Sequence, residues 1–190
     1  MPLLMLKELP RYECLLEAAQ HFPDLDPSAT EVFLQLLRTG DELFNAESVY
    51  LGKQNISQGR FTVLMLLARR EGGACEEHRS TGNPAELAGK AGVTRATMTG
   101  LIDTLEKDGF VKREPDPSDR RMMTVSLTPK AEAFMGGILP GYFRRVAAVM
   151  SELSEVERKT FVALLTKIQR GIAALPPEAD TPTAAAVLPA

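Results

Sequence analysis

The sequence predicts a mainly α fold with a small β-hairpin, and three observations predict it. Apolar residues recur at helical spacing through most of the 190 residues. Alternation of the strand type marks two short stretches, Phe110-Val111-Lys112-Arg113 and Thr124-Val125-Ser126-Leu127. Between them, Pro115-Asp116-Pro117-Ser118-Asp119-Arg120-Arg121 is dense in residues that favour turns, so the two strands form a hairpin.

Taken in order, Arg11 to His21 forms a short amphipathic helix with Leu15, Ala18, Ala19 and Phe22 as apolar contacts. Asp26-Pro27 starts the next helix by cap and proline. Val32, Phe33, Leu36, Leu37, Leu43 and Phe44 carry its apolar side to about Leu51, with Gly40 a weak spot. Ser57 caps a third helix, buried through Phe61, Leu64, Met65, Leu67 and Ala68 and ended by Gly72-Gly73; Ala74 to Gly82 is a polar loop.

The next segment organises the chain. Asn83 caps a helix with Pro84 at its first position and Glu86 placed to reach back to the cap. Leu87, Ala88 and Ala91 form its apolar stripe, and Gly92 ends it at a position that favours φ > 0. Val93 enters the core and Thr94 caps a second helix, whose buried face is Met98, Leu101, Ile102 and Leu105. Small Ala88, turn Gly92 and apolar Met98 are what two helices crossing through a tight turn require. The hairpin follows, with adjacent arginines near its tip that could reach a narrow, electronegative minor groove.

Thr128-Pro129 then opens a long helix, expected to be interrupted or bent near Gly136-Gly137 and Pro140-Gly141. Tyr142, Phe143, Val146, Val149 and Met150 resume its apolar face. Ser154 and Glu157 form a capping box before Phe161, Leu164, Leu165 and Ile168. The tail, residues 176–190, is rich in proline and alanine and is expected to be disordered.

Composition limits the partners. With 44% hydrophobic and 25% charged residues the chain is globular and soluble. The formal net charge of −3 gives no global basic signature for nucleic acid. Even Asn83–Thr128 balances Lys90, Arg95, Lys107, Lys112, Arg113, Arg120 and Arg121 against Glu86, Asp103, Glu106, Asp108, Glu114, Asp116 and Asp119. Attraction to phosphate must therefore come from the arrangement of charge, and binding should depend strongly on salt. Cys14 and Cys75 make no disulfide framework. The N-terminus lacks a basic run followed by an apolar core, and Val63 to Ala68 is too short to span a bilayer. The expected setting is the cytoplasm, with no membrane partner.

Pro84-Ala85-Glu86-Leu87-Ala88, Val93-Thr94-Arg95-Ala96-Thr97-Met98-Thr99, Leu105-Glu106-Lys107-Asp108-Gly109-Phe110-Val111, Asp116-Pro117-Ser118-Asp119-Arg120-Arg121 and Leu127-Thr128-Pro129-Lys130 resemble the winged helix-turn-helix core of the MarR transcriptional regulators. The Asp-x-x-Asp-Arg-Arg wing, followed at this distance by Leu-Thr-Pro-Lys, is the specific part. The resemblance implies a winged helix-turn-helix head at 57–128, flanked by dimerisation helices at 1–56 and 129–175. It implies a repressor or regulator that binds a pseudo-palindromic double-stranded DNA operator as a homodimer, and a small aromatic or lipophilic effector that releases it.

Candidate residues follow. Thr94, Arg95, Thr97 and Thr99 lie where a recognition helix meets base edges, with Arg95 suited to guanine and the threonines to phosphate or a thymine methyl. Their bland alternative is a solvated helix face. Many members of the resembled family carry a basic residue where this chain has Gly100, which removes one possible contact. The resemblance places Arg120 or Arg121 in the minor groove with Asp119 holding the tip; a solvated charged turn is the alternative. It also matches Phe61 and Met65, with Leu101 opposite, to the wall of an effector pocket, though these residues also suit an ordinary core. Cys14 is a candidate oxidant sensor, near Arg11 but with no other fixed cation beside it. Cys75-Glu76-Glu77-His78 offers too few ligands for a metal. No cofactor is expected. A winged helix used for protein contacts without DNA is the reading from another class. An enzyme is not expected, since the chain lacks a phosphate loop, a nucleophile elbow and partners for His21 and His78.

Overall fold

The computed structural model describes residues 8–68, 81–116 and 122–176. Seven helices and three strands run through them: α1 (Tyr12–Ala19), α2 (Pro27–Gly52), α3 (Gln58–Leu67), β1 (Thr81–Gly82), α4 (Pro84–Ala91), α5 (Arg95–Lys107), β2 (Val111–Pro115), β3 (Met123–Leu127), α6 (Pro129–Val149) and α7 (Glu155–Ala173). The chain divides into two compact units, Met1–Ile138 and Leu139–Ala190, with the boundary inside α6.

Local chemistry sets the helix starts. The Asp26 carboxylate accepts from the Ser28 and Ala29 N–H groups at 2.9 and 3.0 Å, and Pro27 takes the first position of α2, where its missing N–H costs nothing. Gly40 leaves α2 unbroken. Asn55 turns the chain toward α3 at φ 57°, a conformation that asparagine tolerates better than most residues. Ser57 then caps α3 by accepting from Arg60 N–H. In the second unit the Ser154–Glu157 capping box forms in both directions, as its spacing predicts.

The first unit carries the core. Leu51, Phe61, Val63, Leu64 and Leu67 from α2 and α3 meet Leu87, Ala88, Met98, Ile102 and Leu105 from α4 and α5, and all are buried. Val111 and Val125 close the core from the sheet, and Ala131, Met135 and Ile138 from the start of α6. The sheet is antiparallel in the order β1-β3-β2, with Arg113 opposite Val125 and Gly82 opposite Val125 on the other side. No residue of α7 is buried.

Four expectations need correction. Residues 81 and 82, expected in the polar loop, pair with Ser126 and Val125 as β1. Gly82 permits this because a Cβ there would come within 3.1 Å of the Leu87 side chain. Val93, expected in the core, is exposed; its backbone N–H makes the contact that matters, donating to the Ala88 carbonyl at 3.1 Å to close the turn. Phe22 is exposed at 64%, and of the residues named for α1 it is Leu15 that is buried. Of the interruption or bend expected in α6, the interruption does not occur: the helix runs continuously through Pro140 to Val149. Proline removes a single backbone donor, and buried Met135 and Ile138 anchor the turns before it. The Tyr50 hydroxyl also donates to the Ile138 carbonyl at 3.2 Å. The Gly72-Gly73 stop and the tail from residue 177 lie outside the described residues.

Candidate nucleic-acid interface

The helix–turn–helix is built from short-range bonds. The Asn83 side chain accepts from Glu86 N–H at 2.8 Å, a one-way cap, since no bond returns from Glu86. Gly92 adopts φ 66°, ψ 31°, the left-handed geometry that lets the chain reverse without a Cβ clash. Thr94 starts α5 by accepting from Thr97 N–H at 3.1 Å. Fully buried Met98, Ile102 and Leu105 seat one face of α5 on α3 and α4. Leu101 rests on α3 at Gly59, where an added Cβ would meet its Cδ2 at 3.2 Å.

That seating turns Thr94, Arg95, Thr97 and Thr99 outward, and all four are exposed. The hydroxyls of Thr94 and Thr97 lie 2.9 Å apart, and Thr99 donates to the Arg95 carbonyl at 2.9 Å. The threonines are thus oriented by the helix end itself. The Arg95 guanidinium makes no hydrogen bond or ion pair with a described residue and is available to an external acceptor. Gly100 leaves open space on the same helix, with nothing within 4 Å of an added Cβ.

Arg113, absent from the sequence candidates, ties the hairpin to α5. From β2 its two terminal nitrogens reach Asp103 at 2.5 Å and Glu106 at 2.8 Å. A second set of ties holds the turn between α5 and β2. Gly109 takes φ 73° there. Thr128 donates to the Gly109 carbonyl at 2.7 Å, and Lys130 donates to the Asp108 carbonyl at 2.6 Å while lying 5.0 Å from the Phe110 ring centre. Arg60 of α3 pairs with the Asp108 carboxylate at 2.7 Å. The Leu-Thr-Pro-Lys signature therefore acts as a clasp on this turn. Its residues are visible in sequence, but their partners are set by tertiary contact. Asp116 N–H donates to the Met122 carbonyl at 2.9 Å, closing the ladder below the tip. Asp119, Arg120 and Arg121 lie outside the described residues.

Of the effector candidates, Phe61 is buried in the core at 2% exposure, while Met65 and Leu101 are half-buried. Cys14 is an exposed free thiol, and Cys75 and His78 fall outside the described residues. Among the described residues no cluster of His, Cys, Asp or Glu could hold a metal ion, and no helix is long and apolar enough to cross a membrane.

Comparison with known proteins agrees with this architecture. Residues 56–123 match the family model described as the MarR family. The HTH-type transcriptional repressor YetL of Bacillus subtilis is 36% identical over 160 residues, covering 84% of this chain and 92% of YetL. Among solved structures, Sco3205 of Streptomyces coelicolor, a MarR family regulator in complex with DNA, aligns with TM-score 0.68 and 24% identity over 83% of this chain and 97% of its own. BpsR of Bordetella bronchiseptica aligns with TM-score 0.57 and 23% identity over 75% of this chain and 93% of its own. These two likenesses establish a shared fold. Because the match to YetL is close and spans nearly all of that repressor, the chain belongs to the MarR family of winged helix-turn-helix transcriptional regulators.

Proposed function

We propose that this chain represses transcription by binding a pseudo-palindromic double-stranded DNA site as a homodimer, and that a small aromatic or lipophilic molecule releases it. One observation carries the reading: the N-terminal face of α5 is led by Arg95, unpaired among the described residues, and three oriented threonines, on a helix seated by its opposite face. An exposed helix end of this kind fits a major groove. There an arginine can donate twice to guanine, and hydroxyls can reach phosphate or a thymine methyl. The naming of YetL as a repressor and the solution of Sco3205 with DNA support it. Residues 1–56 and 129–175 supply the pairing helices, and two heads about 34 Å apart meet successive turns of one duplex face. Arg120 or Arg121, at the hairpin tip, enters the adjoining minor groove with Asp119 bracing the loop.

The release step is supported by BpsR, a protein whose DNA binding is regulated by 6-hydroxynicotinic acid. Met65 and Leu101 are the half-buried members of the apolar set, and Phe61 is buried in the core. A ligand lodged there releases DNA only if it binds better to the head spacing that does not fit the duplex.

The test is fluorescence anisotropy on DNA fragments flanking the chain's own coding region, across a salt series. Arg95→Ala should cost about 1–3 kcal/mol on the preferred site and relax discrimination at one base pair. If Arg95→Ala leaves affinity, selectivity and salt slope unchanged, the DNA reading falls, and a protein-contact role for the winged helix takes its place. Aromatic acids are titrated into the same complex; if none alters the affinity, the effector reading is lost and DNA binding stands.

A further inference from the structure

We propose that Arg113 is a positioning residue for DNA binding: by bridging Asp103 and Glu106 it fixes the angle between the hairpin and α5. The inference rests on the DNA reading given above, and it assigns the arginine no contact with DNA.

The geometry favours a brace. The Arg113 side chain is 24% exposed, so its head is largely enclosed between strand and helix. Nη2 meets Asp103 at 2.5 Å and Nη1 meets Glu106 at 2.8 Å, so one planar guanidinium spans two carboxylates one helical turn apart. The fork of a guanidinium can serve two acceptors at fixed angles, whereas an ammonium acts as a point charge. Along β2 the alternation puts Arg113 on the side facing α5. Its neighbours Lys112 and Glu114 pair with each other at 2.9 Å on an exposed surface. Arg113 therefore sits at the base of a two-stranded arm whose tip must reach a groove that α5 does not occupy. A few degrees of freedom at the base become ångströms at the tip.

The bridge has a second consequence. Asp103 and Glu106 are the acids of α5, and they lie past the proposed contact residues on the same helix. Left unpaired they would repel phosphate; Arg113 offsets part of that charge, leaving one net negative charge on the three groups. Simple electrostatics and the brace thus give opposite signs for one variant. Removing both carboxylates as Asp103→Asn with Glu106→Gln deletes negative charge near a polyanion, which should tighten binding if charge alone matters. If the brace matters, the same change frees the arm and weakens binding.

The experiment measures anisotropy on the flanking DNA for wild type, Arg113→Lys and the Asp103→Asn/Glu106→Gln double variant. Amide hydrogen exchange is recorded on each free protein. Both variants are expected to bind about tenfold more weakly, a loss of about 1.4 kcal/mol. They should exchange faster at Lys112–Glu114 and Met123–Val125 while α3, α4 and the N-terminal half of α5 keep wild-type protection. Restricted loss of protection separates a brace from general destabilisation. Equal or tighter binding by the double variant, wild-type binding by Arg113→Lys, or unchanged exchange in the hairpin overturns the role of Arg113. If wild type itself fails to bind, the DNA reading falls and takes this role with it. Binding by wild type that the variants match removes the brace alone.

Discussion

At the scale of single residues, two glycines of the head should respond to the same substitution with opposite signs. Gly92 sits at φ 66°, where a side chain is strained even though nothing lies within 4 Å of its Cβ position. Gly92→Ala is therefore expected to destabilise the fold by about 1–2 kcal/mol through backbone strain. Gly100 is mid-helix, has ordinary helical φ, and also faces open space. Gly100→Ala should stabilise by about 0.5–1 kcal/mol, since alanine loses less backbone entropy in a helix. Urea unfolding of the two variants beside wild type checks both; a shared sign would contradict the conformational argument. Gly100→Lys adds a phosphate-reaching charge at the open position, and its DNA salt slope should steepen by about one. The same residues show what is visible without coordinates. Gly92 is legible because a turn glycine declares itself by position. Val93 is not, because an apolar residue in a turn can be wanted for its backbone N–H. Arg113 is hidden among balanced charges, and only the fold selects Asp103 and Glu106 as its partners.

At the scale of elements, local signals are legible in the chain and long-range ones are not. The Ser154–Glu157 box needs four adjacent positions and nothing else, so its sequence spacing suffices. Strand β1 is two residues long and exists because β3, far along the chain, offers an edge; no local pattern announces it. The caps carry a pH dependence. Hydrogen bonds from the Ser154 side chain and then its backbone hold the Glu157 carboxyl below the usual carboxylate range. The Ala29 N–H, then the Ser28 side chain, do the same for Asp26 at the start of α2. A folded-state pKa below the unfolded one means that these caps contribute fully above the unfolded value. The contribution is lost as pH falls through the folded value. Carboxyl NMR titration should place each midpoint below the ordinary value for its own residue type. Far-UV ellipticity should fall on the acid side as the caps protonate. In Glu157→Gln, which keeps the cap geometry without the charge, part of that acid limb should vanish. An unaltered limb would mean that the cap carboxylate does not contribute to α7.

At the scale of the whole molecule, the proposed dimer would bury apolar surface that the described helices leave in water. In the first unit α2 exposes Val32, Phe33, Phe44 and Val49; in the second, Phe143, Val146, Val156, Phe161, Val162 and Leu164 are exposed on α6 and α7. Patches of this kind mark association surfaces, and none of the α7 side chains is buried. Charge makes the same demand. With a formal net charge of −3, a single head has little long-range attraction for DNA and must depend on a few placed cations. In the proposed dimer two heads would make the second contact intramolecular, and such coupling raises affinity by about 10²–10⁴. Breaking the pairing should therefore damage DNA binding without touching a DNA-contacting residue. Val162→Asp with Leu164→Asp in α7, and separately Phe33→Asp in α2, are expected to shift sedimentation equilibrium from dimer to monomer. Their affinity for a full pseudo-palindrome should fall by about a hundredfold, while affinity for an isolated half-site stays near that of wild type. Dimeric variants with full-site affinity intact would show that these faces are not the ones that pair. Monomeric variants that still bind the full site as wild type does would show that pairing is not what gives the heads their grip.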